Sequence, residues 1–383
     1  MLVPHDTKPA VTPRSMRRQF LNAAAPHLAQ FGLRTPARFE IDWKTIAPVA
    51  NGDESATARV LEVVAGAGLS EPRLFVQACP HDEGMRRDLS FAGVFKTYHP
   101  RRGLTQAANV AKGICYVLAG RRSAYADTYY ARHRLDGPRA IDVKLSSFVD
   151  GILTIGTAYV HGSRCLLQYF DSYLSLYIND PVRLLAMDGD PASQATTDLA
   201  QKLVHGLFSL SNELATSLDV EFVATASGDV VVTQVRPIPP SHCRAWDTVL
   251  EGTWARLKRD GVPSIVPGSA GHWQGEAVDL RGREPTSRDA RLSKPIFVVR
   301  HQAAGERGMS TLPFLAWAQK EGVTSFGLLV DHGTARRNDH LDYILLEDPQ
   351  AAFVVSVTNL PARLDAEPLR IDSDGFSPTL TTG

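Results

Sequence analysis

The chain has 383 residues, 44% apolar and 21% charged, the make-up of a globular protein long enough for two or three domains. Lys plus Arg and Asp plus Glu both number 41. This balance gives no electrostatic case for nucleic acid or an anionic membrane as the main partner, while small anionic ligands need only a local cluster of donors. Met1 to Arg18 has no signal-peptide run, and no segment reaches the roughly 18 continuous apolar residues of a membrane span, which points to a cytoplasmic protein. Cys79, Cys115, Cys165 and Cys243 form no C-x-x-C pair and read as reduced and structural.

Residues 1–14 are expected to form a flexible leader. SMRRQFLNAAAPHLAQFG then has helical apolar spacing, closed by Gly32, and a strand ARFEIDW follows. The pattern predicts a helix over 53–67 and a buried strand LFVQAC (74–79), then the polar loop PHDEGMRRD and SFAGVFKTY. Helices are expected over 104–119 and 121–133, and a hairpin over 141–161 turning at Asp150-Gly151. A helix over about 193–217 leads into a second hairpin, DVEFVATASGDVVVTQVRPI, turning at Ser227-Gly228-Asp229.

Pro237, Pro239 and Pro240 mark a boundary. The reading divides the chain into 15–240, a linker helix within 241–262, a β-rich α/β domain over 263–363, and a loose polar tail over 364–383. The second domain is expected to carry strands EAVDL, KPIFVVR, FGLLVD and AFVVSVT and a helix near 311–321.

The second hairpin resembles the close of the ATP-binding domain in the phosphoenolpyruvate synthase and pyruvate phosphate dikinase family, where D-I-E-F, a turn and Q-x-R-P recur. Asp219, Glu221, Gln234, Arg236 and Pro237 keep that arrangement. FGLRTPARFEI and SFAGVFKTY are similar to two further segments of the family. The resemblance implies α+β and α/β architecture: an ATP-grasp fold followed by a smaller swivelling β/β/α-type domain. ATP and Mg²⁺ are the implied cofactors.

The chemistry suits that implication. Glu221 and Gln234, side by side on adjacent strands, offer oxygen to a hard cation, and Arg236 suits a phosphoryl oxygen. Asp219 would accept from a ribose or order the metal ligands. Small residues in the loop with Ser90 and Gly93 let backbone N–H groups approach an anion, and Thr97 adds a hydroxyl. Glu83 and Lys144 fall where the family places an acidic residue and a strand near the nucleotide. A solvated surface hairpin and an exposed strand lysine are the plainer alternatives.

The second domain is similar in order to the family's swivelling domain, whose G-G-x-T-S-H histidine carries phosphate. The corresponding residue is His340, preceded by Asn338 and Asp339, with His332 as a second candidate. Two cations of the family pattern are missing: the G-G-K lysine, for which Arg17 or Arg18 would have to substitute, and the V-R-S-S arginine, replaced by Gln77. No barrel for pyruvate or phosphoenolpyruvate follows. Three readings stay open: an ATP-dependent phosphotransferase acting through His340 on an unknown small-molecule acceptor, or on one held by a partner protein; a non-catalytic nucleotide- or protein-binding descendant; and a ligase working through an acyl phosphate.

Overall fold

A computed structural model describes residues 16–66, 69, 73–82, 91, 94–135, 140–170, 183–188, 198–238, 270–300, 309, 311–331, 351–357, 360, 361, 364, 368–374 and 379–382. The expected leader and linker helix lie outside these residues. Among those described, three sheets organise the chain, and the architecture is mixed α+β with curled sheets, consistent with an ATP-grasp fold.

The first sheet contains six strands. Following α1 (Met16–Gln30) come β1 (Leu33–Arg34) and, much later, β6 (Ile152–His161), β7 (Arg164–Phe170), β8 (Arg183–Asp188), β9 (Leu218–Thr225) and β10 (Val230–Pro237). Their order is β1-β10-β9-β6-β7-β8, antiparallel except for the β1–β10 pair. One face is apolar: Val220, Phe222, Val232 and Val235 pack against Leu21 and Leu28 of α1 and Leu203 and Leu207 of a later helix spanning Asp198–Leu214. The β9–β10 turn forms at the expected place, with Gly228 at φ +82°, a conformation that favours glycine.

The second sheet joins β2 (Arg38–Ile41), β3 (Leu74–Pro80), β4 (Thr97–Tyr98) and β5 (Ile141–Ser147) in the order β2-β5-β3-β4. Its helices are α2 (Trp43–Ala50), α3 (Glu54–Gly66), α4 (Gln106–Gly120) and α5 (Ala124–Arg132). Val76, Val143 and Leu145 face Ile46, Val60 and Ile114 in a second core. Asn109 of α4 is fully buried and ties the preceding loop to the sheet: it accepts from Tyr98 Oη (3.2 Å) and Arg101 N (2.9 Å) and donates to Arg101 O (3.2 Å).

The expected 141–161 hairpin is corrected here. β5 and β6 belong to different sheets, because β5 is claimed on both edges by β2 and β3. The 148–151 connector is satisfied from both sides: Phe148 N donates to Arg73 O (3.1 Å), and Ala226 N donates to Gly151 O (2.9 Å). A turn signal fixes a change of direction, not the pairing of the strands that flank it.

The third sheet holds β11 (Ala270–Asp279), β12 (Ile296–Arg300), β13 (Phe326–Asp331), β14 (Ala351–Val357), β15 (Pro368–Asp374) and β16 (Thr379–Thr382), in the order β14-β13-β12-β11-β15-β16. With the Asp198–Leu214 helix numbered α6, the helix Thr311–Lys320 is α7. β11 to β14 form a parallel ladder with apolar side chains packed on both faces, which explains the unbroken runs IFVV and FGLLV. The segment expected as a loose tail instead contains β15 and β16. Leu369 and Ile371 alternate into the core while β15 pairs with β11, so a polar composition concealed a half-buried strand.

At the ends of β11 and β13, Arg281 bridges two carboxylates. Its Nη2 lies 2.7 Å from Asp279 Oδ2 and its Nη1 lies 2.8 Å from Asp331 Oδ2. Between the regions, α5 packs against α7, and Arg132 Nη1 donates to Leu315 O at 2.8 Å.

Candidate functional site

Asp219 and Glu221 lie two apart on β9, so both project from the face opposite the α1/α6 core. The partner strand reaches the same face only through a β-bulge. With strict alternation Val230, Val232, Gln234 and Arg236 would all point to the helices, burying an amide and a guanidinium in an apolar core. The register shifts between Val232 and Gln234, and the extra residue is Thr233. Past it, Val235 fills the core, and Gln234 and Arg236 stand opposite Glu221 and Asp219. Thr233 Oγ1 donates to Glu221 O at 3.1 Å, fastening the bulge to the strand it serves.

The four side chains form one connected group. Gln234 Nε2 donates to Glu221 Oε1 (2.9 Å); Arg236 Nη2 lies 3.0 Å from Asp219 Oδ2 and 3.4 Å from Glu221 Oε1. Arg236 and Gln234 are buried, whereas the Glu221 side chain keeps 31% of its surface exposed. The register extends the row to β6, with Thr157 opposite Glu221 and Tyr159 opposite Asp219. A solvated surface hairpin does not describe this arrangement.

Asp219 Oδ1 is a buried acceptor without a hydrogen-bond partner, which fits a cation or a donor supplied by a ligand. Among the described residues no group of three or more His, Cys, Asp or Glu could hold a metal on its own. Two carboxylates and an amide therefore match an ion that brings phosphate oxygens with it, the usual manner for Mg²⁺.

Lys144 is in the middle of the second sheet, not exposed. It stands on β5 between Glu40 of β2 and Gln77 of β3, and it is buried. Thr97 pairs with Gln77 at the β4 edge and is half-buried. These residues share one sheet face, away from the Val143/Leu145 core, while Asp219, Glu221, Gln234 and Arg236 share a face of the first sheet. Ser90, Gly93, Glu83 and His340, with His332, lie outside the described residues. The sequence reading missed the bulge, although its signal was present: the apolar phase of VVVTQV changes between Val232 and Val235. It also passed over Thr157 and Tyr159, which no motif marks.

No protein-family model matches the chain, and no curated protein matches it. Solved structures similar to it are ATP-grasp ligases. D-cycloserine synthetase DcsG shares 12% identity at a TM-score of 0.30, over 59% of this chain and 63% of that one. The ADP complex of purK, an N5-carboxyaminoimidazole ribonucleotide synthetase, shares 15% at 0.31, over 59% and 45%. D-alanine-D-alanine ligase from Helicobacter pylori shares 12% at 0.28, over 59% and 51%. The chain thus spans less than two thirds of the length of each. These neighbours correct the resemblance drawn from sequence: they are ligases, not phosphoenolpyruvate synthase or pyruvate phosphate dikinase. The motif D-x-E…Q-x-R-P was too short to specify the family. No described helix is long and apolar enough to cross a membrane.

Proposed function

We propose that the chain is an ATP-dependent ligase that binds Mg-ATP at the Asp219, Glu221, Gln234 and Arg236 row and activates a carboxylate as an acyl phosphate. The observation that carries the reading is the bulge at Thr233, which keeps an amide and a guanidinium out of an apolar core and sets them opposite two carboxylates. An Arg whose only duty was to pair with Asp219 would need no amide and second carboxylate beside it.

Glu221 and Asp219 would hold Mg²⁺ together with the nucleotide's phosphates, and the bound ion would neutralise charge on the transferring phosphoryl group. Arg236, fixed by Asp219, presents its guanidinium to a phosphoryl oxygen, an interaction that strengthens as charge develops there. Gln234 holds Glu221 in place through its amide. On the second sheet, the buried Lys144 offers a cation to the nucleotide's phosphates. Direct use of a carboxylate needs no carrier histidine, so the reading does not depend on His340. The third sheet, whose strands run from 270 to 382, would then belong to a separate domain closing the site.

The test is product analysis with a panel of the twenty amino acids as carboxylate and amine donors. An acyl phosphate predicts ADP, phosphate and a condensed product, with ¹⁸O from a labelled carboxylate recovered in the phosphate. AMP, or phosphate without ¹⁸O alongside a condensed product, would contradict it.

A further inference from the structure

Outside the Asp219–Arg236 row, one histidine is held the way a proton-transfer group is held. His81 follows the last residue of β3, and its backbone N continues the β3–β5 ladder by donating to Ala140 O at 3.1 Å. Its Nε2 lies 2.9 Å from Asp142 Oδ1. Asp142, on β5, is buried, and the same Oδ1 also accepts from Trp43 N at 2.9 Å. The carboxylate is therefore fixed by backbone on one side and aligns the ring on the other. A carboxylate only accepts, so Nε2 carries the ring proton and Nδ1 of the neutral ring carries the lone pair.

Nδ1 makes no hydrogen bond among the described residues, and about a third of the side chain (35%) is exposed. The ring is accessible on the side where it is basic and held on the side where it is not. The bond to Asp142 brings the His81 ring to the end of the second-sheet face that carries Gln77, Asp142 and Lys144. The acid next to it, Asp82, is engaged by Tyr130 Oη at 2.5 Å and does not compete for the ring. No hydroxyl or thiol of the described residues bonds to His81, so the dyad has a base and an orienting carboxylate but no internal nucleophile. That arrangement suits a nucleophile supplied by a substrate.

We infer that His81, aligned by Asp142, is the general base that deprotonates the acceptor nucleophile; this rests on the ligase reading above. Nδ1 takes a proton from the acceptor's amine or hydroxyl. The freed lone pair forms a bond to the carbonyl carbon of the acyl phosphate, the carbon–oxygen bond to phosphate breaks, and phosphate leaves with that electron pair. The imidazolium then returns its proton to solvent. With no acceptor supplied, water takes its place: His81 receives the water proton, oxygen bonds to the γ-phosphorus, and ADP leaves.

The experiment measures ADP release from Mg-ATP with water as the only acceptor, and AMPPNP affinity by calorimetry, on the full chain. His81→Ala should lower ADP release on the order of 100-fold, keep AMPPNP affinity within about twofold, and regain activity with added imidazole. Asp142→Asn should lower the rate less, since the base remains but loses its alignment. A wild-type rate in His81→Ala, or a lower rate that imidazole does not raise, would overturn the assignment. So would a wild-type protein that binds AMPPNP and releases no ADP. Absence of AMPPNP binding would sink the ligase reading and, with it, the assignment of the base.

Discussion

Gln234 reaches Glu221 across a pair of strands whose register is shifted by one residue, and its Nε2 donates to Glu221 Oε1 at 2.9 Å only because Thr233 occupies the extra position. The bulge exchanges one broken step of the ladder for two polar side chains moved out of a core made of Val220, Phe222 and Leu207.

Thr233→Val should separate the bulge from its fastening. The variant loses the bond from Oγ1 to Glu221 O, which predicts a stability loss of about 0.5–1.5 kcal/mol in urea denaturation. Deleting Thr233 should straighten the strand without changing its phase, because Gln234 would then follow Val232 directly and still stand opposite Glu221. A deletion variant far less stable than Thr233→Val would contradict the assignment of Thr233 as the extra residue.

Asn109 offers a test of how the second sheet is held. Asn109→Ala leaves Tyr98 Oη and Arg101 N without their acceptor, at a cost of about 1–3 kcal/mol for the buried Tyr98 Oη and less for the part-buried Arg101 N. Thermal unfolding should report a lower midpoint, with proteolysis at 99–104 rising because the loop loses its tie to α4.

The Asp279–Arg281–Asp331 bridge predicts an acid-sensitive third sheet. Burial acts to raise the Asp279 pKa, but the Arg281 guanidinium, Arg281 N and Leu364 N outweigh it and hold the carboxyl below its ordinary 3.8. The folded value thus lies under the unfolded one. Ionised Asp279 contributes stability that is present above about pH 4 and is lost as pH falls through the lower folded value. Arg281→Met should cost about 3–5 kcal/mol near neutral pH, leaving two partly buried carboxylates unpaired. That difference from wild type should shrink below about pH 4 as Asp279 takes up a proton. A difference independent of pH would contradict the role assigned to the bridge.

Much of the framework was legible in the sequence for physical reasons. Apolar spacing marked α1, α3, α4 and α6, and the runs KPIFVVR and FGLLVD marked strands whose two faces are buried. The hairpin itself was legible from Ser227-Gly228-Asp229, but the turn alone would set Thr233 opposite Glu221, and only the motif put Gln234 and Arg236 beside Glu221 and Asp219. Pairing between distant segments was not legible. Nothing in IDVKLSS states that β2 and β3 flank it, so Lys144 could not be distinguished from an exposed lysine. Pro48 concealed α2, whose start is fixed by Asp42 accepting from Thr45 N at 2.8 Å. Leu369 and Ile371 were hidden by the polar residues around them. The His81–Asp142 pair joins residues 61 apart in sequence and needed the β3–β5 register to appear.

The central claim is that the β9–β10 row is a magnesium-nucleotide site, and calorimetric titration with AMPPNP, with and without Mg²⁺, tests it most directly. Wild type should bind AMPPNP more tightly with Mg²⁺. Glu221→Gln should remove most of that magnesium dependence, and Arg236→Met should weaken binding in both conditions by roughly tenfold or more, the loss of a charge-assisted contact. Wild-type affinity and magnesium dependence in both variants, each shown to be folded, would contradict the claim.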